Sequence, residues 1–231
     1  MNRHISEQYD TELDSARSHL LEMGGLVEQQ LHKACQSLYN HDADLAEEVR
    51  GNDAKINHLE VEIDELCIQI IARRQPTATD LRTLISIMKA STDLERVGDE
   101  AERIAKMAQK VVNLEQPVNQ YSDIRDMAAQ VQAMLAESLD AFARQSTESA
   151  LGVIEADESV DDAYDMIVQQ VGAEMKSQPD HIERSLTKLW VARALERCGD
   201  HAKNLAEYIV FLVKGQDVRH ADAAAAVAKK S

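Results

Sequence analysis

Hydrophobic positions in this chain recur at alternating spacings of three and four over long stretches. Leu84, Ile87, Ser91, Leu94, Gly98, Ala101, Ala105, Ala108 and Val112 form one such seam, the heptad pattern of helices in a left-handed bundle. Ala192, Leu195, Gly199, Ala202, Ala206, Ile209 and Val213 repeat it, and Ile56, Leu59, Ile63, Leu66 and Ile70 form a third seam. Prolines occur only at Pro76, Pro117 and Pro179, where the periodicity also breaks, as expected of residues that end helices. The pattern predicts six helices over roughly 7–40, 43–73, 79–113, 122–149, 152–177 and 181–213. The expected fold is therefore all-α.

The six helices fall into two sets of three, because the sequence repeats itself. Glu95-Arg96-Val97-Gly98-Asp99 returns as Glu196-Arg197-Cys198-Gly199-Asp200, each copy preceded by a leucine and the two separated by 101 residues (95 to 196). Asp53 and Asn57 match Asp157 and Asp161 at a shift of 104, and Gln75-Pro76 matches Gln178-Pro179 at 103. The expected organisation is a first three-helix bundle over residues 1–113, a linker over 114–121, a second bundle over 122–215 and a tail over 216–231. The end of that tail, from Ala221 to Ser231, reads as either a frayed helix or disordered chain.

Composition supports this picture and narrows the partners. Aromatic residues make up 3% of the 231, which favours helices packed through small side chains over a β-sandwich. Lys and Arg total 25 against 41 Asp and Glu, a net charge of -16. Such a surface repels nucleic acid and anionic lipid, and it favours a basic partner or an intervening cation. Cys35, Cys67 and Cys198 are odd in number and far apart, which fits a reducing cytosol and gives no zinc-finger pattern. The longest aliphatic or aromatic run, Ile209 to Val213, is too short to span a bilayer, so a membrane is met only through partners.

The candidate chemistry lies in the repeated motif. Glu95 and Asp99, like Glu196 and Asp200, are four apart and project from one side of a helix, where two anions repel and invite a cation. Asp53 with Asn57, and Asp157 with Asp161, offer a second i, i+4 pair in each half. Antiparallel packing would converge them into a cluster of hard oxygen donors suited to Mg, Mn, Ca or iron rather than structural zinc. Asn57 in place of an acid makes the first cluster the less charged and the second, with Asp157 and Asp161, the stronger metal candidate. Gly98 and Gly199 each cost about 1 kcal/mol relative to Ala in a helix interior, and a close helix approach is the expected compensation. His201 is a weaker ligand candidate, since the first copy has Glu100 there. Cys198 is expected to be a packed thiol, and Trp190, Tyr208 and Phe211 core or docking residues. The opposing reading is a solvated acidic face neutralised by Arg96 and Arg197. Nucleotide-binding loops, GxSxG and HExxH are missing, so binding is favoured over catalysis.

The two Glu-Arg-x-Gly-Asp segments, DAKINHLEVEIDELCIQIIARRQ from Asp53 to Gln75, PTATDLR after it and the closing VKGQDVRH from Val213 to His220 resemble the PhoU family over nearly the whole chain. The resemblance implies two three-helix bundles related by pseudo-two-fold symmetry. It also implies metal ions, iron or zinc clusters among them, on Glu95, Asp99, Glu196 and Asp200, with Asp53, Asp157 and Asp161 as partners. Arg103 where the second repeat has Asn204, and Asn57, depart from the pattern. The role it implies is a cytoplasmic adaptor, commonly a homodimer. Such an adaptor links the ATPase of the phosphate ABC transporter to a sensor histidine kinase and represses the phosphate-starvation response and phosphate uptake. A carboxylate-cluster metalloenzyme and a purely structural bundle are the alternatives.

Overall fold

The structure, a computed structural model, describes residues 2–112 and 121–218, with side chains from residue 8 onward. Six long helices carry the fold: α1 (Asn2–Asn40), α2 (Ala43–Arg74), α3 (Ala78–Val111), α4 (Ser122–Arg144), α5 (Thr147–Ser177) and α6 (Ile182–Lys214), with a 3-10 turn at Pro179–His181. There is no strand among the described residues. Most of the linker expected at 114–121 lies outside them, as do residues 219–231 of the tail. Of the flanking residues that are described, Tyr121 and Val218 are buried.

Helix boundaries follow local capping. Asp42 accepts from the Leu45 N–H at 2.9 Å and starts α2, while Gln75 adopts the left-handed conformation that closes it (φ 48). The α4–α5 turn falls earlier than the sequence pattern placed it. Gln145 is left-handed (φ 53), and Ser146 then caps α5 through the Ser149 N–H at 3.2 Å. Gly152, at the sequence-based start of the fifth helix, sits exposed inside α5. A serine cap sets this boundary without any glycine.

Within each half the helices run up, down and up. Arg74 of α2 donates to both Glu12 oxygens of α1 at 3.0 and 2.7 Å, and at the other end Lys33 meets Glu48 at 2.7 Å. The expected seams face inward: Leu84, Ile87, Leu94, Ala101, Ala105 and Ala108 of α3, with Ala192, Leu195, Ala202, Ala206 and Ile209 of α6, are buried. At the seam ends the fit loosens, with Val111 rather than Val112 buried and Val213 exposed.

The glycines do what the seam predicted. A Cβ on Gly98 would lie 3.2 Å from Ile56 Cδ1, and one on Gly199 would lie 3.3 Å from Val160 Cγ1. Ile56 and Val160 are themselves equivalent under the shift of 104, so the same close approach of α3 to α2 recurs between α6 and α5.

A second heptad joins the halves. Ala90, Val97, Ile104 and Val111 of α3 are buried every seven residues, and Val191, Cys198, Leu205 and Leu212 of α6 are their equivalents at 101 residues. These stripes pack α3 against α6 in antiparallel fashion: Asp93 meets Tyr208, Glu100 meets Arg197, and Arg82 lies by Gly215. The chain is thus two three-helix bundles related by a pseudo-two-fold, fused along α3 and α6, with α1 and α4 touching beside that contact.

The packing assigns opposite effects to two helical glycines. A Cβ on Gly25 would meet nothing within 4 Å, so Gly25→Ala should stabilise by about 0.5–1 kcal/mol. Gly98→Val should destabilise by about 1–3 kcal/mol, because Ile56 is fully enclosed and cannot yield. Urea unfolding of the two variants checks both signs.

Candidate metal centre

Each half brings together the acids that the repeat pointed to. Between α2 and α3 lie Asp53, Asn57, Glu95 and Asp99. Asn57 Nδ2 donates to Asp53 Oδ2 at 3.1 Å, while Asp53 Oδ1 is buried with no hydrogen-bond partner. Burial first, then the charges of Asp99 and Glu102, push the Asp53 carboxyl above its ordinary 3.8. Burial also raises Glu95, reinforced by Asp99 and by Glu60, an acid of α2 that lies outside the repeated i, i+4 pairs.

Between α5 and α6 the arrangement recurs with Asp157, Asp161, Glu196 and Asp200. Asp161, Glu196 and Asp200 are all raised, chiefly by burial and next by their neighbouring carboxylates. Glu196 Oε2 is buried and unpartnered, while its other oxygen takes the Arg193 guanidinium. Asp157 is 2% exposed and accepts from Lys203 Nζ at 2.6 Å.

Beyond Asn57, the halves differ in where their cations sit. Under the shift of 101 Lys203 stands where the first half has Glu102, and Arg193 where it has Thr92. In the second cluster Lys203 and Arg193 are hydrogen-bonded to the acids themselves and Asp165 adds a charge, whereas in the first Glu60 and Glu102 join the acids and Arg96 and Lys106 act on them only through their charge. Counting only the i, i+4 pairs hid these flanking positions.

Buried carboxylate oxygens without partners are costly unless something positive meets them. Hard oxygen donors of this kind fit Mg, Mn or another oxygen-seeking cation, and the donor set in each half is consistent with one. Among the described residues the acids are neighbours rather than a formed chelate, since no three Asp, Glu, His or Cys side chains are close enough to hold an ion as they stand.

His201 points away from this chemistry. Its Nδ1 lies 2.7 Å from Asp93 Oδ1 of α3, and Asn204 Nδ2 and the Tyr208 hydroxyl donate to the same carboxylate at 3.1 and 2.8 Å. Two turns along, buried Glu100 accepts from Arg103 of its own helix at 2.8 Å and forms an ion pair with Arg197 of α6 at 2.8 Å. Arg197 thus neutralises Glu100 across the α3–α6 contact, and Tyr208 is an interface donor rather than plain core. Asp93 and Glu100 were missed; the signal was their seven-residue spacing inside the Ala90, Val97, Ile104 stripe. Cys198 is a packed thiol, its ionisation strongly opposed by burial. Trp190 is 53% exposed, so it is not a core residue.

Known proteins match this geometry and its repetition. The PhoU domain model matches residues 20–108 and again 124–209. The chain belongs to the PhoU family. It is 46% identical over 220 residues to the phosphate-specific transport system accessory protein PhoU homolog of Pseudomonas aeruginosa, covering 95% of this chain and 91% of that one. It is 42% identical over 224 residues to the PhoU of Escherichia coli, with 95% and 91% covered. The crystal structure of Pseudomonas aeruginosa PhoU superimposes with a TM-score of 0.88 at 45% identity, covering 90% of this chain and all of that one. The phosphate transport system regulatory protein PhoU of Streptococcus pneumoniae gives 0.85 at 30%, covering 91% and 99%. The PhoU fold and its twofold repetition therefore hold across the described residues.

Raised carboxyls make a pH signature. Burial raises Asp53, Glu95, Asp161, Glu196 and Asp200 in the native state, so in the window just above the ordinary 3.8 and 4.5 the folded chain binds more protons than the unfolded one, and stability falls as pH rises through it. Glu12, held down by Arg74, loses its contribution only below that window. The metal-free protein should melt higher near pH 5 than at about pH 7.5, and Glu95→Gln should narrow the difference. A midpoint that climbs with pH in both proteins would contradict the clustering.

Proposed function

We propose that this PhoU protein is a negative regulator of the phosphate-starvation response and of phosphate uptake. In this reading it works in the cytoplasm as a metal-binding adaptor between the ATPase of a phosphate ABC transporter and a sensor histidine kinase, and it acts as a homodimer. The observation that carries the reading is identity of 42–46% along 95% of the chain to proteins named phosphate-specific transport system accessory protein PhoU. Those names describe an accessory component rather than a catalyst.

The physical features agree with an adaptor. No described helix is long and apolar enough to cross a membrane, so a transporter would be reached by docking. A net charge of -16 favours basic faces on whatever it docks to. Metal would be held by Asp53, Glu95 and Asp99 in the first half and by Asp157, Asp161, Glu196 and Asp200 in the second. There it would neutralise buried oxygens and tie α2 to α3 and α5 to α6. Metal loading would then stiffen the surface offered to partners.

Deleting the encoding gene tests this directly. Phosphate-responsive promoters should be active in phosphate-rich medium in the deletion strain and silent again when the wild-type chain is restored. Correct repression in the deletion strain would sink the proposal.

A further inference from the structure

The two clusters differ at one position in a way that the repeat makes legible. In the second half Lys203 Nζ donates to Asp157 Oδ2 at 2.6 Å, and Asp157 is almost fully enclosed. In the first half the equivalent carboxylate, Asp53, receives only the neutral Asn57 amide on Oδ2, and its Oδ1 has no partner. Glu102 occupies the position equivalent to Lys203; Lys106 donates to Glu102 and reaches Asp53 only through its charge, while Arg50 donates to Glu47 and Gln109.

We propose that Lys203 is a resident cation of the second cluster, holding its metal affinity below that of the first so that the halves load in sequence. This rests on the reading of both clusters as metal sites. A dication entering the first cluster meets bare carboxylate oxygen and displaces nothing. One entering the second must first break a charge-assisted hydrogen bond and expel an ammonium group.

The geometry says which partner moves. Asp157 is 2% exposed, enclosed between α5 and α6 on a short side chain with little room to withdraw. Lys203 has a flexible stem, and its side chain is 35% exposed, so it can swing into water and leave Asp157 to the metal. Arg193 on Glu196 adds to the same barrier. Loss of one charge-assisted bond corresponds to about tenfold or more in affinity. The protein would then report two metal concentrations, one per half, through a single fold.

Titration of metal-free, full-length protein with Mn²⁺, free ion being read by electron paramagnetic resonance, decides the matter. Wild type should show two classes of site separated by about tenfold or more. Lys203→Met should tighten the weaker class and leave the stronger unchanged. Without metal this variant should also melt lower, because Asp157 is left buried and uncompensated, and Mn²⁺ should recover more of that loss than it adds to wild type. Glu102→Lys installs the ammonium in the first half and should weaken the stronger class. This second variant decides the case if Lys203→Met fails to fold. Equal affinities in wild type, or classes that neither substitution moves, would overturn the proposal while leaving the metal sites standing. No Mn²⁺ bound by any of the proteins would remove the metal reading itself.

Discussion

Where α3 crosses α2 the chain has Gly98, and the Ile56 side chain fills the space a Cβ would take; Gly199 and Val160 do the same for α6 and α5. This closeness has an electrostatic consequence. Carboxylates within a helical turn of each glycine, on two adjacent helices, are forced into a shared, partly dehydrated space. Burial and mutual repulsion then raise Asp53, Glu95, Asp161, Glu196 and Asp200 together. Hydrophobic packing at the seam holds the acids where, by themselves, they would separate. A bound cation would turn that stored repulsion into attraction between helices.

The opposite sides of α3 and α6 face each other, and they too carry charge. Asp93 and Glu100 are both on α3, and their cross-interface donors His201, Asn204, Tyr208 and Arg197 are all on α6. Strict symmetry would have placed acids on both helices, and the pseudo-two-fold is broken here: Glu100 corresponds to His201 and Asp93 to Ala194. The break makes the contact complementary and fixes one register, since a slip of one turn would strand buried carboxylates. Each of these helices therefore has one face in a cluster and another in the central contact. A change at either cluster can therefore reach the other half through α3 and α6, the helices that carry the acidic motif.

Much of this architecture is legible in the sequence. Three-four spacing and the repeated Glu-Arg-x-Gly-Asp located the inner seams, the twofold organisation and the close glycine approach, because each is a property of a single helix or of two copies compared. The turn at Gln145 escaped because a left-handed glutamine and a serine cap leave a fainter trace than glycine or proline. Asp93 and Glu100 escaped because they interrupt an apolar stripe whose partner lies more than 90 residues away. Lys203 escaped for a related reason: α5 and α6 carry shifts of 104 and 101, so its meeting with Asp157 depends on how two helices are staggered. Local periodicity does not contain that stagger.

Metal is proposed to sit on the paired carboxylates beside Gly98 and Gly199. Elemental analysis of the purified protein beside a double Glu95→Ala, Glu196→Ala variant, both verified as helical by circular dichroism, tests it most directly. Bound metal is expected in the wild type, and its loss in the variant. Equal metal content in the two proteins would contradict the claim.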